Sequence, residues 1–395
     1  MSKLDELIQQ LCPDGVEYKA LGEFGTMIRG NGLQKKDFSD TGVGCIHYGQ
    51  IYTYYGAFAY ETKTFVPKEL AVKLKKITTG DLVIAITSEN IEDVCKCVAW
   101  LGNEEIVTGG HSAVFKHNQN PKYLAYCFQT EYFFAQKKKI ANGTKVIEVS
   151  PRKLENIKIP VPPLPIQNEI VHILDNFTEL TAELTAELTA ELTARKKQYE
   201  YYRDQLLTFA EDDNQVQWMK LGVLTTINVG QAPEEAILDN GKYPFINAGT
   251  TLSGYVSAFN STSETITTPS RGQGGIGFVG YQKSNFWCGP LCYKIQSNND
   301  DVLTKYLYYY LSSIRSVLLK MKHTGSVPAL NRKELTMVTI PIPSLFEQER
   351  IVSILDRFDS LCNDITTGLP AEIEARRKQY EYYRDKLLTF KELGA

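Results

Sequence analysis

Residues 195–209 read Arg195-Lys-Lys-Gln-Tyr-Glu-Tyr-Tyr-Arg-Asp-Gln-Leu-Leu-Thr-Phe209. They return 181 residues later as Arg376-Arg-Lys-Gln-Tyr-Glu-Tyr-Tyr-Arg-Asp-Lys-Leu-Leu-Thr-Phe390, with two of fifteen positions changed. The same displacement carries Ile159-Pro160-Val161-Pro162 onto Ile340-Pro341-Ile342-Pro343. It also carries Ile170-Val171-His172-Ile173-Leu174-Asp175 onto Ile351-Val352-Ser353-Ile354-Leu355-Asp356. A long segment is therefore present twice, and the remainder of the chain hangs from the two copies.

Each copy reads as a helical arm. Pro-rich stretches precede both, Pro165 suits a first helical turn, and Ser344-x-x-Glu347 has the form of a capping box. Ile166, Ile170, Ile173, Phe177 and Leu180 fall at coiled-coil spacing, and the pattern resumes through Tyr199, Tyr202, Leu206 and Phe209. A continuous helix from Ile166 to Phe209 would measure about 66 Å at 1.5 Å per residue. Between the two patterned stretches, Thr-Ala-Glu-Leu occurs three times, ending at Leu184, Leu188 and Leu192. Leucine at every fourth residue turns the apolar stripe by about 40° per repeat, and Ala, Glu and Leu all favour helix. The second arm has Leu361, Ile365, Leu369 and Ile373 in register. It also has Gly368 and Pro370, which predict a kink or a restart.

Outside the arms lie two segments of different character. The amphipathic stretch Leu4, Leu7, Ile8, Leu11 predicts a short leading helix that stops at Pro13-Asp14-Gly15. Val16-Glu17-Tyr18-Lys19-Ala20-Leu21-Gly22 is echoed by Val216-Gln217-Trp218-Met219-Lys220-Leu221-Gly222 at a displacement of 200, not 181. The segments between echo and arm, about 16–150 and 216–331, thus differ in length and share little sequence. Their short alternating runs predict strands at 83–87, 112–115 and 255–259, and helices over 122–141 and 302–321. The fold class expected is α+β: two globular domains with twisted, mainly antiparallel sheets, joined by two long antiparallel coiled-coil helices with pseudo-two-fold symmetry. A body with such a dyad and two unlike ends suits double-stranded DNA with two unlike half-sites.

The net charge of −3 is unevenly spread. The globular segments are mildly basic, +1 over 1–152 and +4 over 216–335, and the arms are acidic, −6 over 153–215 and −2 over 336–395. Such heads touch phosphates but grip DNA hard only beside a partner. The eight cysteines form no zinc-spaced double pair, so reduced thiols in a cytoplasmic protein are expected and no metal. No apolar run of membrane-spanning length and no signal core is present.

With its Thr-Ala-Glu-Leu array inside a duplicated arm, the chain resembles the specificity subunit of type I restriction-modification systems over nearly its whole length. The resemblance implies an N-terminal target-recognition domain at 1–152, a central spacer arm at 153–215, a C-terminal target-recognition domain at 216–335 and a second arm at 336–395. It further implies a subunit without catalytic residues, each recognition domain reading one half of a split asymmetric DNA sequence. Its partners would be two methyltransferase subunits, which use S-adenosylmethionine to methylate adenine, and motor-nuclease subunits that cleave unmethylated DNA. The number of tetrads would set the gap between half-sites.

Candidate DNA contacts sit in loops and near the arm roots. Ser270-Arg271-Gly272-Gln273 resembles a loop of these recognition domains, and Arg271 can bond guanine and Gln273 adenine, each in bidentate fashion. The matching place in the first domain is Thr87-Ser88-Glu89-Asn90, which offers Ser88 and has no arginine. Lys137, Lys138, Asn142, Thr144 and Lys145, with Lys322, His323 and Ser326, are phosphate candidates near each arm's root; solvated helix ends are the rival reading. Tyr199, Tyr202, Tyr380 and Tyr383 take core positions of the coil. Tyr201 and Arg203, with Tyr382 and Arg384, take another face, as two copies of one partner-binding patch for the methyltransferase. Gly275-x-Gly277-x-x-Gly280 lacks the following helix of a dinucleotide site. No ATP-binding, zinc-protease or methyltransferase signature is present. The competing classes are a coiled-coil scaffold with protein-binding ends and a self-contained methyltransferase.

Overall fold

The computed structural model describes residues 2–210, 212–272, 275–323, 328–363 and 368–394. Two compact units emerge, residues 1–186 with 374–395, and residues 187–373. The first arm is a single 43-residue helix, Leu164–Leu206, that contributes to both units. The second arm is a helix Leu345–Asn363 followed by a helix Leu369–Leu387, with Pro370 in the first turn of the latter, where its missing N–H costs nothing.

In the first unit the leading helix Lys3–Leu11 starts at Ser2, whose hydroxyl accepts from Asp5 N–H while Asp5 accepts from Ser2 N–H. A five-stranded sheet holds the strands Gly25–Arg29, Ser112–His117, Leu82–Ala85, Cys97–Trp100 and Phe58–Ala59 in that order, and a four-stranded sheet lies beside it in sequence. Pairing is antiparallel except Phe58–Ala59 with Cys97–Trp100, and Val43–Ile46 with Ile106–Thr108. Strand Leu82–Ala85 is buried at all four positions, as its unbroken apolar sequence requires. The predicted helix over 122–141 is instead two helices, Pro121–Cys127 and Glu131–Ile140. Thr130 divides them, its hydroxyl donating to Cys127 O and accepting from Phe133 N–H as an N-cap.

The second unit, although its sequence shares little with the first, repeats its frame. A four-stranded sheet orders Thr225–Val229, Cys292–Ser297, Thr265–Pro269 and Gly280–Gln282. Tyr243–Ile246 pairs in parallel with Trp287–Cys288, as Val43–Ile46 does with Ile106–Thr108 in the first unit. The strand predicted over 255–259 is only Tyr255–Val256, and the helix predicted over 302–321 breaks at Ile314 into Thr304–Ser313 and Arg315–Lys320.

Each globular region is bolted to the root of an arm by the same set of bonds. The two echo strands each pair with the strand leading into an arm, Tyr18 opposite Pro160 and Trp218 opposite Pro341. Tyr123 donates to Pro160 O at 3.0 Å and Tyr306 to Pro341 O at 2.7 Å. The fully buried amides of Gln167 and Gln348 donate to Pro162 O and Pro343 O. They accept from the N–H of Asn120 and Leu303, just before the adjoining helix. Lys122 and Tyr126 both bond Asp175, as Lys305 and Tyr309 both bond Asp356.

Within each unit two arm segments run side by side in opposite directions. In the first, Phe177 lies on Tyr383 at 6.0 Å and Thr178 bonds Tyr380. In the second, the equivalent Phe358 lies on Tyr202 at 5.8 Å. Ile166, Ile170 and Leu174 enter the first core, Ile351 and Leu355 the second. Tyr199 and Tyr380 are half-buried as coil positions, whereas Tyr202 and Tyr383 stay about 40% exposed, covering the phenylalanines from outside. Of the tetrad leucines, Leu188 is buried and Leu184 and Leu192 are half-buried. The apolar stripe therefore stays on the covered side through the repeats.

Candidate nucleic-acid interface

The end of the main sheet carries most of the predicted contacts, and it is built alike in both units. In the second unit, Arg271 follows strand Thr265–Pro269 and bridges Ala329, which in turn pairs with His323. Arg271 and His323, 52 residues apart in sequence, thus line one cleft of about 580 Å³ with Ser270, Leu291, Asn331 and Arg332. Arg271 and Lys322 are exposed, and His323 shares its Nε2 with both oxygens of Glu334 at 2.8 and 2.9 Å. Gln273 and Ser326 lie outside the described residues. Gly275 to Gly280 lead into strand Gly280–Gln282 and not into a helix.

In the first unit, Thr87–Ser88 pairs with Ile147–Glu148, and Glu148 bridges back to Asn142. Asn142, Thr144 and Lys145 form an exposed hairpin tip. Gly143 there has φ +112°, and a Cβ would sit 1.9 Å from Val146 O, so only glycine fits. Lys138 is exposed as expected.

Three expectations are corrected. Lys137 is only 4% exposed, and its ammonium donates to Glu92 O and Val94 O; burial lowers its pKa. It holds the 92–94 turn to helix Glu131–Ile140 and is not presented to a phosphate. Ser88 is 8% exposed, covered by its strand pairing, and its hydroxyl accepts from Asn90 N–H. Arg384 is 7% exposed and Arg203 half-buried, each folded onto the next residue, Asp385 or Asp204. Tyr201 and Tyr382 remain outward, 59% and 63% exposed, each edge-on to the tyrosine that follows. The repeated patch is therefore aromatic, not Tyr-Arg.

Sequence reasoning missed several groups at the same sheet end. Arg29 pairs with Glu148 at 2.8 Å, and Thr87 bonds His111 Nδ1 at 3.0 Å. The Tyr48 ring packs at a tilt against both His47 and His111, while burial and nearby Lys35 push the His47 imidazole below its usual pKa. Arg332 directly follows the helix cap Asn331. Only register brings these residues together, and no spacing in the chain announces it.

Among the described residues no cluster of three metal-ligating side chains occurs, and no helix is long and apolar enough to cross a membrane. The family model for the type I restriction modification DNA specificity domain matches this chain twice, over residues 13–194 and 214–375. The chain belongs to that family. A type I restriction enzyme specificity subunit of Escherichia coli (EcoR124I/EcoR124II) is 39% identical over 59% of this chain and 63% of its own length. A putative type I specificity subunit of Haemophilus influenzae is 36% identical over 74% of this chain and 76% of its own. A solved chain from a type I restriction-modification system aligns over 96% of this chain and 98% of its own, with TM-score 0.69 and 19% identity. The HsdS subunit of Thermoanaerobacter tengcongensis aligns over 96% of both chains with TM-score 0.52 and 18% identity. The two specificity domains carry the two unlike sheet ends described above.

Proposed function

We propose that this chain is the sequence-reading subunit of a type I restriction-modification complex in the cytoplasm. Each specificity domain reads one half of a split, asymmetric DNA target. The observation that carries the reading is the duplicated anchor, Tyr123–Pro160 with Asp175 and Tyr306–Pro341 with Asp356, beneath two unlike surfaces. One frame with interchangeable chemistry is what two half-sites of different sequence require. The chain supplies recognition and docking, with no catalytic residue of its own. Methyl transfer to adenine, with S-adenosylmethionine as donor, belongs to two methyltransferase subunits, and cleavage to motor-nuclease subunits. The outward Tyr201 and Tyr382, identical in sequence setting, are the docking groups for two copies of the methyltransferase.

The test is to co-express the chain with its methyltransferase and sequence the methylated adenines of the host DNA. A split motif that vanishes without this chain is expected. Methylation that does not depend on the chain would leave the scaffold reading in its place.

A further inference from the structure

The sheet ends of the two units correspond residue by residue through their hydrogen bonds. Ser270 N–H donates to Leu291 O and Leu330 N–H to Ser270 O, as Ile86 N–H donates to His111 O and Val149 N–H to Ile86 O. Arg271 therefore occupies the place of Thr87, Leu291 that of His111, and Ala329 that of Glu148. Arg332, next after the cap Asn331, occupies the place of Pro151, next after the cap Ser150. Gly230 N–H bonds Cys292 O as Gly30 N–H bonds Ser112 O, which sets Val229 at the place of Arg29.

Two chemistries thus share one frame. In the first unit the Arg29–Glu148 pair and the Thr87–His111 bond present donors and acceptors of both kinds. In the second, Val229 and Ala329 replace the ion pair, and the charges gained at these places are two guanidiniums. His323 is committed to Glu334, and among the described residues no carboxylate is bonded to Arg271 or Arg332. The Tyr293 hydroxyl donates to Leu330 O, and Arg271 and Arg332 line the same cleft as that tyrosine, so the two are brought to one place. Pro290, Leu291 and Val229 give the cleft an apolar wall beside its polar lining of Ser270 and Asn331.

A concave place with forked donors and an apolar wall fits a flat edge that offers acceptors only. Among the major-groove base edges, guanine alone presents two acceptors and neither a donor nor a methyl group. A phosphate offers acceptor oxygens but no flat face to lie against the wall. We infer that this cleft reads a guanine in the half-site taken by the second unit, with Arg271 and Arg332 as the reading groups. The inference rests on the DNA-specificity reading above.

The experiment uses the full chain assembled with its methyltransferase on a library of randomised targets, with adenine methylation as readout and binding measured at two salt concentrations. The wild-type complex should return a split motif containing a guanine in one half. Arg332→Lys and Arg271→Lys keep the charge but lose the fork. Each should reduce the preference for that guanine roughly 5- to 150-fold. The other half-site, read by the same complex, should be unchanged, which also shows that the variant is folded. Uniform weakening on all sequences, with the salt slope falling by about one on Arg332→Gln, would place these groups on phosphates and overturn the inference. An unaltered guanine preference overturns it as well. A wild-type complex with no sequence preference overturns the functional reading, and this inference with it.

Discussion

Individual side chains here divide by what they already bond. Lys137 illustrates the division: its position in Lys137-Lys-Lys139 suggests a phosphate contact, yet two buried carbonyls occupy its ammonium. Lys137→Met should cost about 1–3 kcal/mol in denaturant unfolding, because two acceptors lose their donor. Lys138→Ala should leave stability within about 0.5 kcal/mol. His117 is the clearest pH-sensitive group. Its Nδ1 accepts from Gln119 N–H, its Nε2 is buried without a partner among the described residues, and burial lowers its pKa from 6.5 to about 4. Because the folded value is depressed, the unfolded state binds the proton first as pH falls. The stabilisation by neutral His117 is complete above pH 6.5 and is lost between 6.5 and about 4. The loss amounts to at most about 3 kcal/mol. His117→Gln should flatten the fall in unfolding free energy between pH 7 and pH 4; equal slopes in both proteins would rule this group out.

At the scale of elements, the arm-root anchor decides how firmly each head is held. Asp356 accepts from Lys305 Nζ at 2.8 Å and from the Tyr309 hydroxyl at 2.5 Å. Removing it leaves a mostly buried phenol and an ammonium without their acceptor. Asp356→Ala should therefore destabilise the second unit by about 1–3 kcal/mol. Amide exchange should speed up in helices Thr304–Ser313 and Leu345–Asn363 and stay unchanged in Pro121–Cys127; equal acceleration in both units would refute a local anchor. These anchors also mark the limit of what the sequence discloses. Asp175 and Asp356 fall inside the visible repeat, and the arms, the restart at Pro370 and the echo of residues 16–22 in 216–222 are all legible, though not that the echo forms strands. Their partners Lys122 and Lys305 stand 183 residues apart, outside the 181-residue repeat and inside segments with little likeness. The shared frame of the two domains shows only when pairing register is known. The same holds for the sheet end, where the places of Thr87 and Arg271 can be matched from the strand that precedes them. Those of Pro151 and Arg332 cannot be matched without the caps that precede them. Lys137 misled because a lysine run reads as solvated, and nothing local says that one of the three turns inward.

At the scale of the molecule, the chain uses one arm sequence twice, and the copies have different duties. The last residues close the first unit: Val16 N–H donates to Lys391 O, Leu393 N–H to Val16 O, and Leu388 enters the core. The tetrads sit in the 43-residue helix Leu164–Leu206, which contributes to both units. Deleting residues 185–188 removes one repeat without altering the heptads on either side, and Leu192 then takes the place of Leu188 in the stripe. The helix shortens by about 6 Å, and the chain beyond the deletion turns by about 40°. One base pair of DNA contributes about 3.4 Å and roughly 35° of twist. The rotations nearly agree while the lengths do not, so the angular match is the one that sets the expected step. The deletion should therefore bring the two half-sites closer by about one base pair and leave the sequence of each unchanged. Adding a fourth tetrad should part them by the same step. Mapping methylated adenines for the three lengths in one host reads both the half-sites and the gap. A gap that stays constant across the series would show that the repeats do not measure DNA.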